Sequence, residues 1–135
     1  MLVAVTVSLG LLVVASLSDN VSAARLHGSP QEIDIENAII EEVAHFAVAN
    51  HPGETLEEGY LDALEKVLSA KKQVVAGTLY TLELSVGSSG CSLKSQNDRQ
   101  LCKIKASSKS RQCRAQVYVQ LWMKPQNTVT HWECH

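Results

Sequence analysis

The spacing of apolar residues changes partway along the chain. Ile35, Ile39, Val43 and Phe46 recur at steps of four, four and three, with Ala38, Ala47 and Val48 beside them and Glu36, Glu41 and Glu42 facing away. That period predicts one amphipathic helix. Asp34 is read as its N-cap, with Asn37 at the third helical position, in preference to the alternative capping box Ser29-Pro30-Gln31-Glu32. Asn50-His51-Pro52-Gly53 supplies the stop. In residues 54–72, Leu61, Leu64 and Leu68 again stand at helical spacing among Ala, Glu and Lys, so propensity predicts a second helix. After Gly77 the period falls to two. Tyr80, Leu82, Leu84 and Val86 share one strand face, and Gly87-Ser88-Ser89-Gly90 is expected to turn the chain. Cys113, Ala115, Val117, Val119 and Leu121 form the core face of another strand, with Trp122 at its end. A turn around Lys124-Pro125-Gln126-Asn127 leads to a last strand, Thr128 to Cys134. Helix first and antiparallel strands after imply an α+β domain with a single sheet packed on the helix.

Between the two regimes lies Gln73-Val74-Val75-Ala76-Gly77, which places adjacent valines at what reads as an exposed hairpin turn, with Gly77 free to take positive φ. An apolar tip of this kind is either a strand end buried within its own domain or a surface meant to be covered by a partner. The pentapeptide alone leaves both readings open.

Leu2 to Leu17 is an apolar run of secretory h-region length, too short to span a bilayer comfortably, and small residues follow at Ala23 and Ala24. Residues 1–24 are therefore read as a signal peptide and 25–135 as one mature domain, secreted and free of the membrane once the leader is removed. No Lys or Arg precedes the run, which is atypical of such leaders. The one N-glycosylation sequon, Asn20-Val21-Ser22, falls inside the leader. Removing it takes away one acid, Asp19, and leaves 12 basic and 13 acidic residues, a net charge of −1. A near-neutral balance argues against a nucleic-acid binder. Charge is nonetheless divided: residues 25–65 hold ten acids and one base, residues 66–135 eleven bases and three acids. The densest basic part, Lys94, Arg99, Lys103, Lys105, Lys109, Arg111 and Arg114, has no interleaved aromatic residues and reads as a solvated face.

Four cysteines, Cys91, Cys102, Cys113 and Cys134, behind a leader imply two disulfides, and spacing does not choose among the three pairings. Zinc is the competing reading, but there is no Cys-x-x-Cys spacing and His131 and His135 lack a partner pair at helical ligand spacing, so no metal or cofactor is expected. An enzyme finds little support, since a nucleophilic cysteine would have to be free and no Gly-x-Ser-x-Gly elbow is present.

Taken in order, the helix, Gln-Val-Val-Ala-Gly, the four cysteines and Trp122 resemble the type 2 secreted cystatins over essentially the whole mature length. The resemblance implies one long helix gripped by a curved antiparallel sheet, makes residues 54–72 end in a strand, and pairs Cys91 with Cys102 and Cys113 with Cys134. It implies a monomeric inhibitor of papain-like, cathepsin-type cysteine proteases. Its wedge would comprise an N-terminal trunk (Leu26, His27, Gly28), a first hairpin (Gln73, Val74, Val75, Ala76, Gly77) and a second hairpin (Leu121, Trp122). Two positions depart from the family pattern: His27 stands where an aliphatic residue is usual, and Leu121 where proline is usual. Pro52-Gly53-Glu54-Thr55-Leu56 replaces the Ser-Asn-Asp segment with which some members bind legumain, so no legumain inhibition is expected. The alternative is a cystatin-fold module without inhibitory activity, using Lys94–Arg114 on polyanions such as glycosaminoglycans.

Overall fold

A computed structural model describes residues 28–94 and 102–135. The expected leader, Leu26, His27 and Arg99 lie outside the described residues. Five antiparallel strands form one sheet in sequence order: β1 (Gln31–Glu32), β2 (Tyr60–Val75), β3 (Gly77–Ser92), β4 (Arg111–Val119) and β5 (Asn127–Cys134). The one helix among the described residues, α1 (Ala38–Asn50), crosses one face. The core lies between them. Ile40, Val43, Ala44, Ala47 and Val48 of α1 meet Ala70 of β2, Leu82, Leu84 and Val86 of β3, and Cys113, Ala115 and Val117 of β4. This is the α+β architecture expected from the sequence.

Four local readings are corrected. The helix begins later than predicted, because Asn37 rather than Asp34 is its N-cap: Asn37 Oδ1 accepts from Ile39 N at 2.9 Å. Asp34 instead closes the preceding turn, accepting from Glu36 N at 3.0 Å. The rival capping box is strand, with Gln31 and Glu32 paired to Lys72 and Lys71. Nor do Ile35 and Ile39 face the core; Ile40 does, and Ile39 is 55% exposed. Adjacent isoleucines stand ~100° apart on a helix, so only one of Ile39 and Ile40 can be central to the stripe.

The second helix suggested by propensity is β2. Register shifts against β3 fall between Leu64 and Lys66 and between Val67 and Ser69, each inserting an extra residue. Core-facing Leu64, Val67 and Ala70 thus stand three apart instead of two, which imitates a helical period. The same bulges bend the ribbon around α1.

Gly87-Ser88-Ser89-Gly90 does not turn the chain, and β3 runs through it to Ser92. A Cβ on Gly87 would lie 2.4 Å from Ile104 Cδ1, so the glycine accommodates a covering segment. That segment is tied down by Lys105 N to Ser88 O at 2.9 Å and by Ser88 N to Ser108 Oγ at 2.7 Å. The Cys91–Cys102 disulfide anchors its start, and Cys113–Cys134 joins directly opposed residues of β4 and β5. Both pairings are those the resemblance implied. The acidic and basic halves meet through Glu57 and Lys105, 2.8 Å apart.

Candidate functional site

At one end of the sheet, β2 and β3 close in the tightest hairpin of the fold. Val74 pairs with Thr78 and Val75 with Gly77, leaving Ala76 alone at the tip. Gly77 has φ of +115°, which a side chain rarely tolerates, and a Cβ there would lie 2.6 Å from Val119 O. The base of this hairpin is therefore pressed against the end of β4, where the second hairpin starts. The Tyr118 hydroxyl donates to Ala76 O, and Gln120 Nε2 donates to that hydroxyl oxygen at 3.0 Å.

The second hairpin is a loop between β4 and β5 rather than a strand end. Gln120 N donates to Gln126 O at 2.8 Å, Met123 N to Gln120 O at 3.1 Å, and Gln126 Nε2 to Leu121 O at 3.3 Å. Leu121 was expected on the core face of β4; it is 73% exposed, because β4 stops at Val119 and the loop carries Leu121 outward. Trp122 is 64% exposed and Met123 about half.

The third segment reaches the same edge. Gly28 N donates to Val74 O at 2.9 Å, and a Cβ on Gly28 would lie 3.1 Å from that oxygen. Residue 28 thus lies beside the first hairpin. Gly28, Gln73–Gly77 and Leu121–Trp122 are brought together; Gln73 and Val75 are half-buried, whereas Val74 is 58% exposed.

Behind the tips, the start of α1 and the two hairpins enclose an open hollow of about 500 Å³ lined by Ile39, Val74, Tyr80, Val119, Leu121 and Trp122. Ile39, Met123 and Tyr118 belong to this edge but were not read from the sequence as such. The Ile39-Ile40 doublet was the available signal for the first; the cross-hairpin reach of Tyr118 left none. Glu42 is the one carboxylate lining the hollow. Among the described residues no group of three or more His, Cys, Asp or Glu side chains is arranged to hold a metal, and all four cysteines are disulfide-bonded. The edge is an apolar surface stiffened by hydrogen bonds between its two hairpins.

Residues 28–122 match the family model of the cystatin domain. The chain is 33% identical over 97 residues to salivary cystatin-L2 of Ixodes scapularis, covering 69% of each chain. It is 32% identical over 108 residues to cystatin-C of Bos taurus, covering 78% of this chain and 72% of that one. Among solved structures, the salivary cystatin of the soft tick Ornithodoros moubata superposes with a TM-score of 0.69 at 28% identity, over 80% of this chain and 97% of that one. The chain belongs to the cystatin family, as a type 2 member. Family and fold support a role in cysteine-protease inhibition rather than an enzymatic one.

Proposed function

We propose that this cystatin is a secreted, reversible, competitive inhibitor of papain-like cysteine proteases, acting as a monomer of residues 25–135 after loss of residues 1–24. The observation that carries the proposal is the convergence of Gly28, Val74–Gly77 and Leu121–Trp122 on one edge, with the side chains of Val74, Leu121 and Trp122 uncovered. Val74, Leu121 and Trp122 would enter the active-site cleft of the protease, each contributing about 1–3 kcal/mol on desolvation. The Tyr118–Ala76 link and the Gln120–Gln126 bond hold the tips in place beforehand, which lowers the ordering cost of association. Leu26 and His27, just before Gly28, would extend along the non-primed subsites. No bond to the protease is made or broken; the wedge denies substrate access to the protease's own cysteine.

Titrating a cathepsin-type protease with the refolded mature chain tests this. Inhibition should be competitive and reversible, and should weaken when residues 25–27 are removed. No inhibition at micromolar concentration rejects the proposal. Two features oppose the polyanion-binding alternative: Lys105 is paired with Glu57, and Arg114 Nε lies 2.6 Å from Glu83. Retention on heparin at physiological salt, without protease affinity, would reinstate it. Asn50, the last residue of α1, donates its side-chain amide to Phe46 O at 2.9 Å, so it serves the helix end and legumain should be unaffected.

A further inference from the structure

The other end of α1 holds a buried pair of titratable groups that the protease-binding edge does not use. His51 follows the helix, about 18 Å along its axis from Ile39. Its side chain is 4% exposed and that of Asp62, on β2, 2%. His51 Nε2 and Asp62 Oδ2 are 2.6 Å apart, His51 Nδ1 lies 3.0 Å from Pro52 O, and Leu56 N donates to Asp62 Oδ1 at 2.9 Å. The imidazole is stacked on Trp132 of β5, with ring centroids 4.1 Å apart and planes 6° from parallel.

Hydrogen-bond bookkeeping assigns the proton. The Pro52 carbonyl can only accept, so Nδ1 carries a hydrogen. The 2.6 Å contact between Nε2 and Asp62 Oδ2 is attractive only with a proton between them; placed on the ring, that proton leaves Asp62 to accept from both the imidazole and Leu56 N. The ring is then an imidazolium with both hydrogens placed, paired to a carboxylate and lying on an indole face that favours a cation. Without the shared proton, a nitrogen lone pair would face a carboxylate in a site that water does not reach.

We propose that the His51–Asp62 pair is a proton-operated latch that holds the loop between α1 and β2 closed while the imidazole keeps its proton and releases it when rising pH removes that proton. The latch joins the helix exit to β2 directly, and through Leu56 it fixes the intervening loop. Nearby charges are engaged elsewhere. Glu57 is held by Lys105 and Ser88, and Glu54 and Glu58 line a separate hollow with Gly53, Gly59 and Leu93. On β5, His131 and Glu133 flank Trp132 in sequence and meet one another at 3.5 Å. Asp62 is thus the carboxylate in contact with the ring.

Burial lowers the His51 pKa, but the hydrogen bonds to Asp62 and to the Pro52 carbonyl, with the Asp62 charge, outweigh it and leave it raised above the ordinary 6.5. A raised folded value gives stability that is complete below the unfolded value and lost as pH rises through the folded one. The unfolding constant should therefore rise about tenfold for each pH unit separating the two midpoints.

The test is an NMR titration of the ring nitrogens in the mature chain, with His51→Gln assigning the signals, alongside urea unfolding from pH 6 to pH 9. His51 should titrate above 6.5, and the alkaline rise in unfolding constant should vanish in His51→Gln and in Asp62→Asn. Titration at or below the ordinary value, or an alkaline profile unchanged in the variants, overturns the proposal. Should neither variant fold, the wild-type titration decides by itself, with the ring signals identified through their contact to Trp132. Protease inhibition by folded His51→Gln at pH 6 should equal that of wild type, so the latch and the wedge stand or fall separately.

Discussion

Gly77 and Trp122 act at the same edge by opposite means. Gly77 is needed for its backbone: with φ of +115° and Val119 O where a Cβ would go, Gly77→Ala must shift either the first hairpin or the end of β4. It should cost about 1–3 kcal/mol of stability and also weaken inhibition, as read from urea unfolding and inhibition constants together. Trp122 is proposed to act through its side chain, which its own domain leaves largely uncovered. Trp122→Ala should leave stability within about 0.5 kcal/mol while weakening inhibition by about 1–3 kcal/mol. Equal inhibition by both variants and the parent would move the contact surface elsewhere. Leu121→Pro tests the departure from the family pattern. Restricting the loop should tighten inhibition by about 0.4–1 kcal/mol, measured as a slower dissociation rate.

At the scale of elements, the N-cap, the bulged strand and the covered strand end show how local signals were overridden. Asp34 is as good an N-cap residue as Asn37, but Ile33 N donates to Ala70 O at 3.0 Å and keeps that stretch extended beside β2. The helix then starts at the next capping side chain. Asn37→Ala should cost about 1 kcal/mol, whereas Asp34→Ala should cost less; thermal unfolding of both variants decides. In β2 the leucine spacing was legible but misleading: Leu61 is buried while Leu68 is 40% exposed, and the bulges that set the true core spacing are defined by the partner strand. At Gly87 the glycine signal was real, yet it answered to Ile104 rather than to a turn. Cys113 and Cys134 are opposed across two strands, and replacing both by serine should lower stability by about 3 kcal/mol in the chain-entropy model.

Across the whole molecule, pH should bracket stability from two sides. Lys105 and the Ser88 hydroxyl hold Glu57 below the usual carboxylate range, and the Ser110 and Ser85 hydroxyls do the same for Glu65. Burial raises Glu83, but Arg114 and Gln112 outweigh it and leave it lowered as well. A lowered folded value gives stability that is present above the unfolded value, about 4.5 for glutamate, and lost as pH falls through the folded value. Urea midpoints should therefore hold level between this acid limb and the alkaline limb set by His51. Glu83→Gln should shrink the acid limb without touching the alkaline one.

The sequence by itself determined the fold class, the helix, the first hairpin and the strand period, because each is written in residues near one another along the chain. Together with Trp122 and the cysteines, these were enough to recognise the family. Only the tertiary structure decided which isoleucine faces the core, where β2 is bulged, that Leu121 points outward and that Gly28 lies beside Val74. It also decided the pairing of His51 with Asp62, eleven residues apart and sealed by Trp132 from the far end of the chain. Each of these depends on what a distant strand places opposite a residue, and a burial or a proton-sharing contact does not exist until both sides are folded together.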